Sequence, residues 1–381
     1  EQADIDKMDI IETDKKKILI ISRSFYPQNS PRSFRATELA VELARIGHEV
    51  TVYIPTEGRD YTSFEITHCL KVKNIGALKW RQIELKGGHF EQLLRRITKR
   101  ALMLLFEWPD IELMFRASKA LQYVNGYDLL ISIAVPYPIH WGVAKARTGA
   151  NRLAKTWIAD CGDPYMGDSA DSFRKLFYFK YIEKWFCRKA DYITVPFEGA
   201  RSAYYPEFRD KIRVIPQGFR LDTVEIPEYK KQFDYPVFAY AGGFIPGKRD
   251  PGKLLDFLST CDRNFKFIVY TSQANLLTPY KEVLKEKLDI RGKIPREDLL
   301  NVLAGVDFLL NLDNNTHTQL PSKLIDYAIT GRPVLNLTST PDFTALLEFM
   351  DGNYDRRVLM ESLANYDIRI VAGKFLGLIN N

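Results

Sequence analysis

Short apolar, β-branched runs alternate with amphipathic segments along most of this chain, and that alternation, more than any single residue, limits what it can fold into. Lys17–Ser22 (KILIIS) reads as a buried strand. Ala36, Leu39, Ala40 and Leu43 then recur at helical spacing, Gly47 stops the helix, and His48–Ile54 (HEVTVYI) is a second strand. A strand, helix, strand unit builds a parallel sheet, because two parallel strands need a crossover between them. The same grammar continues through a strand at Asp128–Ala134, a helix at Pro138–Arg147, a strand at Thr156–Ala159, an aromatic-rich helix at Phe173–Lys189 and a strand at Tyr192–Val195. Gln217–Pro227 is polar and irregular, the composition of a linker. The pattern then restarts, with strands at Val237–Ala241, Phe265–Thr271, Phe308–Asn311 and Val334–Leu337. Its helices start at Pro251, lie around Pro279–Leu288 and Arg296–Ala304, and start again at Ser322.

With 381 residues the chain is too long for one ordinary core and suits two. The fold expected is therefore α/β, two doubly wound, Rossmann-like domains whose ligands bind beyond the carboxyl ends of the strands, in a cleft where the domains face each other. A content of 46% hydrophobic and 27% charged residues supplies packed cores and argues against extended disorder. Cys69, Cys161, Cys187 and Cys261 are far apart and form no CxxC or Cys/His cluster, so neither a disulfide framework nor a metal site is expected, and a reducing compartment such as the cytoplasm fits. The longest apolar run, Ala101–Phe106, is far short of the roughly 18 residues that span a bilayer.

Two segments carry chemistry. Tyr240–Pro251 (YAGGFIPGKRDP) runs off a strand into a glycine-rich turn and then a helix. Gly242, Gly243 and Gly247 let backbone amides approach an anion, and Lys248 and Arg249 add positive charge beside a helix N-terminus, which together make a diphosphate site; an ordinary turn with solvated cations has the same composition. Leu320–Leu335 (LPSKLIDYAITGRPVL) reads as a helix capped by Ser322, buried through Leu324, Ile325 and Ala328, and ended by Gly331 and Pro333. Lys323, Asp326 and Thr330 fall on its other face. Asp326 there can accept both hydroxyls of a ribose, or can be a solvated residue paired with Lys323.

These segments, together with KILIISRSFYPQNSPRSFRATELAVELARIGHEVTVYIP at the start, RVIPQGF in the middle and RGKIPREDLL after it, resemble the family-four retaining glycosyltransferases of the GT-B fold, in particular bacterial enzymes of surface-polysaccharide synthesis. The resemblance covers nearly the whole chain. It implies an acceptor-binding domain over residues 1–217, a nucleotide-sugar-binding domain over 218–365, and a C-terminal helix over 366–381 that crosses back onto the first. It implies a UDP- or GDP-sugar donor, no cofactor, no metal, and a leaving diphosphate that helps deprotonate the acceptor hydroxyl. Lys248 stands where the family lysine contacts the diphosphate, Asp326 where a glutamate holds the ribose, and Gly292, Lys293 and Ile294 where loop backbone meets the nucleobase; Ser322 and Lys323 border the same pocket. Departures fall at Gly243, where the family has an arginine, at Thr318, where it has a glutamate contacting the sugar, and at Asn29–Arg32, where it has a glycine pair. Arg32 can reach a phosphate from there or simply lie at the surface.

The acceptor side rests on Ala159–Tyr165 (ADCGDPY), which resembles a family D-x-x-D-P-W-like segment and makes Asp163 a candidate acceptor or sugar contact, or else a turn aspartate before Pro164. His140 follows a strand end and can orient an acceptor or be structural. Between Lys79 and Arg100 seven basic residues face two acidic ones, and over 89–106 Phe90, Leu93, Leu94, Ile97, Ala101, Leu104 and Leu105 keep helical spacing. Such a helix either lies in an anionic membrane surface, where a glycan or lipid-linked acceptor is presented, or packs on the domain core with a solvated basic face. No nucleic-acid module accompanies the charge, so nucleic acid is not expected as a partner. Two other readings share the fold: a sugar-nucleotide epimerase, and a catalytically silent sugar-nucleotide-binding subunit.

Overall fold

In the first unit the buried strands read from the sequence assemble into a seven-stranded parallel sheet. Its elements are β1 (Lys17–Ser22), α1 (Pro31–Arg45), β2 (Glu49–Ile54), α2 (Thr62–His68), β3 (Lys71–Asn74), α3 (His89–Phe106), α4 (Glu112–Leu121), β4 (Tyr127–Ala134), α5 (Pro138–Ala146), β5 (Ala154–Cys161), α6 (Phe179–Lys189), β6 (Tyr192–Val195) and β7 (Ile212–Val214). This computed structural model describes residues 14–167, 174–222, 225–245, 247, 249–313, 323–359 and 362–379. The sheet order is β3-β2-β1-β4-β5-β6-β7. Central β1 pairs with β2 (Ile18 opposite Val50) and β4 (Ile18 opposite Leu129), so its winding reverses between β1 and β4.

Alternate residues of β1 feed the two cores. Ile18 and Ile20 pack with Ala36 and Leu39 of α1, while Leu19 and Ile21 pack with Leu113 of α4 and Trp141 of α5. All four β1 side chains are fully buried, each contributing about 1.5–3 kcal/mol by removal from water. Helix α1 starts where the sequence allows it to: Pro31 occupies its first turn and the Ser30 hydroxyl accepts from Ser33 N at 3.2 Å.

The second unit spans Phe219–Asp367. It contains β8 (Val237–Ala241), α7 (Gly252–Ser259), β9 (Lys266–Tyr270), α8 (Thr278–Leu284), β10 (Leu288–Arg291), α9 (Arg296–Ala304), β11 (Phe308–Leu312), α10 (Lys323–Ile329), β12 (Val334–Leu337) and α11 (Phe343–Met350). The strands are parallel in the order β10-β9-β8-β11-β12, with the reversal between β8 and β11. After Asp367 the chain returns to the first unit, where α12 (Ile368–Leu376) packs on α1. Both units are Rossmann-like, as the strand and helix alternation requires.

Some elements differ from the sequence reading. The segment read as a helix to Leu288 ends at Leu284 and gives way to edge strand β10. The aromatic helix begins at Phe179, and residues 168–173, where its start was placed, lie outside the described residues. On α10 the buried residues are Leu324, Ile325 and Tyr327, with Ala328 only half-buried.

Candidate functional site

In the second unit the sequence motifs converge at the carboxyl end of the sheet. The turn after β8 is pinned from below: Gln273 accepts from Phe244 N at 2.6 Å and donates to Phe244 O at 3.1 Å, and the Tyr240 hydroxyl donates to Gly243 O at 2.8 Å. Ile245 and Arg249 close it through a backbone bond of 2.9 Å. Gly247 has φ +75, a conformation that needs glycine, and Gly243 is exposed at the tip. The Asp250 carboxylate then accepts from the amide of Gly252, the first residue of α7, at 2.9 Å. The Arg249 guanidinium lies against the turn, donating to Gly243 O at 3.3 Å. A pocket of about 430 Å³ opens beside this turn, lined by Gly247, Asp250 and Lys253 on one side and Asp313, Thr338 and Ser339 at the ends of β11 and β12 on the other. Lys248 and Ser322, both expected in the site, lie outside the described residues, as does Thr318.

Helix α10 contributes two side chains, and neither behaves as a solvated helix residue. The expected Lys323–Asp326 pairing is not formed. Asp326 Oδ1 instead accepts from Arg296 Nε at 2.9 Å and Nη2 at 2.7 Å. Burial raises the Asp326 pKa, and the Arg296 charge only partly pulls it back. Lys323 reaches the other way, with Nζ 4.3 Å from the Tyr240 ring centroid. Arg296 is a site residue that the sequence reading passed over. It opens α9 directly after the exposed Gly292, Lys293 and Ile294, so its ion pair ties that loop to α10, and its guanidinium covers the Phe219 ring at 4.9 Å. The signal was present in RGKIPREDLL, where an arginine follows the loop proline, but nothing local marks its partner 30 positions away.

At the carboxyl end of the first sheet, Asp163 is half-exposed after β5. Its carboxylate meets Arg32 Nη2 at 3.4 Å and its carbonyl accepts from the Tyr137 hydroxyl at 2.6 Å. Arg32 is no loose surface residue: its guanidinium occupies the space a Cβ on residue 162 would take, so only Gly162 permits the arrangement.

His140 is corrected to a structural residue. It is fully buried, Nδ1 is bonded to Ser132 Oγ at 2.8 Å and Nε2 lies 3.4 Å from Cys161 Sγ, and burial lowers its pKa to about 3. A neutral imidazole with both nitrogens occupied inside the core touches no acceptor. Helix α3 fills residues 89–106 as expected; none of its residues is fully buried, and only residues 92 and 99–104 are half-buried. Phe90 is 73% exposed and Ile97 57%. Beyond its end Trp80 and Trp108 stack at 4.5 Å. No helix among the described residues is long and apolar enough to cross a membrane.

Two parallel, Rossmann-like sheets in tandem define a two-domain α/β protein of the GT-B fold. Residues 34–223 match the model of Glycosyltransferase Family 4, and the chain belongs to that family. Solved structures agree on the fold. The apo form of the lipopolysaccharide outer core galactosyltransferase WaaB is 15% identical, with 94% of each chain covered and a TM-score of 0.56. Anabaena Alr3699/HepE in complex with UDP and glucose is 10% identical over 96% of this chain and 99% of that one, with a TM-score of 0.58. A glycosyltransferase from Rickettsia africae is 12% identical over 96% and 94%, with a TM-score of 0.57. No curated protein matches the sequence.

Proposed function

We propose that this glycosyltransferase moves a sugar from a UDP- or GDP-sugar to a hydroxyl of a glycan or lipid-linked glycan, with retention, on the cytoplasmic side of the membrane, in surface-polysaccharide synthesis. The observation that carries the donor assignment is the glycine turn after β8 with Arg249 folded against it and Lys323 beneath, since a cleaving donor releases a diphosphate whose negative charge must be met as it builds. Asp326, oriented by Arg296, keeps Oδ2 for the ribose diol. The loop 292–294 takes the base in this reading. Lys248, Arg249 and Lys323 supply positive charge at one turn, so the reaction proceeds without a metal. The UDP and glucose held by the Anabaena protein of the same fold support a nucleotide-sugar here.

Helix α3 takes the role of membrane contact. Its apolar side is exposed at Phe90, Leu93, Leu94 and Ile97, its polar side carries Arg95, Arg96, Lys99 and Arg100, and stacked tryptophans suit the headgroup level. The decisive experiment incubates the protein with UDP- and GDP-sugars and acceptor lipid extracts and follows nucleotide release. Transfer or slow hydrolysis supports the proposal; interconversion of donors without release makes the protein an epimerase, and binding without turnover makes it a silent subunit.

A further inference from the structure

Lys323 is unusual among the cations of the second unit. Its Nζ is buried and has no hydrogen-bond partner among the described residues. What faces it is the Tyr240 ring at 4.3 Å, the like charge of Arg249 and, as the opposing charge among the described residues, Asp313. The nearer carboxylate in sequence, Asp326, is already engaged by Arg296, and the Tyr327 hydroxyl is held by the backbone of Ala241 at 2.8 Å. Tyr240 is the residue whose hydroxyl holds Gly243 O, so the amine sits directly under the turn assigned to the diphosphate. A buried ammonium without an anion is costly, and a lysine relieves that cost by losing its proton, which a guanidinium cannot do. Burial and the Arg249 charge both drive the Lys323 pKa well below its ordinary value, with Asp313 opposing.

We propose that Lys323 couples donor binding to proton uptake: its amine is neutral in the empty site, and a nucleoside diphosphate entering at the glycine turn draws one proton from solvent onto Nζ to form an ammonium–phosphate pair. No other bond forms or breaks, and the proton returns to solvent when the nucleotide leaves. This rests on the donor site proposed above. Arg249 contributes permanent charge; Lys323 contributes charge that exists only while the anion is present. The empty pocket thus avoids an isolated buried cation, and nucleotide affinity falls with rising pH.

The test is titration calorimetry of the full chain with UDP, and with GDP in parallel, at pH 8 in buffers of different ionisation enthalpy. The dependence of the observed enthalpy on the buffer counts protons. The expected result approaches one proton taken up per UDP or GDP bound in the wild type and near zero in Lys323→Arg and Lys323→Met, with Lys323→Met also binding at least tenfold more weakly. Binding by the wild type with a buffer-independent enthalpy overturns the coupling and leaves the donor site standing. Equal uptake in Lys323→Arg and the wild type overturns it too. Absence of any UDP or GDP binding by the wild type removes the donor site itself. The wild-type measurement decides the matter even where a variant fails to fold.

Discussion

Arg35 of α1 and Asp160 of β5 form a buried, two-pronged ion pair: Nε reaches Oδ2 at 3.0 Å and Nη2 reaches Oδ1 at 2.9 Å, with 3% and 4% of the side chains exposed. Burial alone raises the Asp160 pKa, but the charge and hydrogen bonds of Arg35, joined by the Thr194 hydroxyl at 2.7 Å, outweigh it and hold the carboxyl below its usual range. The same guanidinium donates to the carbonyls of Ile215 and Pro216 and lies 5.0 Å from the Phe375 ring of α12. One side chain therefore fastens the first helix, the sheet, the end of the segment after β7 and the C-terminal helix. Removing it leaves a carboxylate stranded in the core, so Arg35→Met should cost about 3–5 kcal/mol in urea denaturation. A loss below about 1 kcal/mol would show that the pair holds nothing together.

Glu183 of α6 makes stability depend on pH. It is fully buried, neither carboxylate oxygen finds a hydrogen-bond partner among the described residues, and burial raises its pKa from 4.5 to about 7. The Met166 amide, close but outside good bonding geometry, offsets only part of this. A carboxyl whose folded pKa lies above its unfolded one binds its proton more tightly when folded. Its contribution is therefore full below pH 4.5 and lost as pH rises toward 7, by roughly 3 kcal/mol in all. Glu183→Gln should match the wild type at pH 4.5 and exceed it by about 2–3 kcal/mol at pH 8.5. A difference between the two proteins that is the same at both pH values would rule this out.

Much of the architecture was legible because inner strands are largely apolar runs: β1 (KILIIS), β8 (VFAYA) and β9 (KFIVY) could be read from their own residues. The edge strands β3 and β10 were not, although β12, also at an edge, was. β3 (KVKN) is largely solvent-facing, and β10 (LDIR) buries only Leu288 of four residues, so neither carries the apolar signature and β10 was absorbed into a helix. In the site, the glycine turn and the α10 segment stood out locally, since turn and cap chemistry is written in neighbouring residues. Partners were hidden: Arg35 and Asp160 are 125 positions apart, and only the folded sheet brings them together. His140 misled for the same reason, because a polar residue near a strand end looks the same whether it faces a ligand or Ser132 and Cys161.

Lys248→Ala should nearly abolish transfer while leaving the unfolding midpoint unchanged. Loss of an electrostatic donor to the leaving group costs about 2.7–4 kcal/mol, a fall of 10²–10³ in kcat. Activity in excess EDTA should stay at the untreated level. Turnover by Lys248→Ala equal to the wild type would move the phosphate site elsewhere, and loss of activity in EDTA restored by a divalent ion would overturn the metal-free mechanism.

Asp326 predicts a nucleotide preference. With Oδ1 taken by Arg296, one oxygen remains for a ribose diol, and a hydrogen bond to a charged group contributes about 1.5–3 kcal/mol. UDP should bind about tenfold or more tightly than 2′-deoxy-UDP to the wild type, and the two should bind Asp326→Ala alike. A discrimination that survives in the variant places the ribose away from α10.

The bare side of α3 yields the prediction farthest from the donor site. Phe90, Leu93, Leu94 and Ile97 are all exposed, while Arg95, Arg96, Lys99 and Arg100 share the same stretch of helix. Apolar insertion and attraction to anionic lipid, about 1 kcal/mol for each basic residue near the surface, act together on such a helix. The protein should co-sediment with vesicles containing phosphatidylglycerol, less so as salt screens the charge, and scarcely with vesicles of phosphatidylcholine alone. Leu93→Asp with Ile97→Asp should abolish sedimentation without altering UDP affinity, because neither residue lies in the second unit. Should that double variant still bind the anionic vesicles, the contact belongs to another surface and α3 is left without a partner.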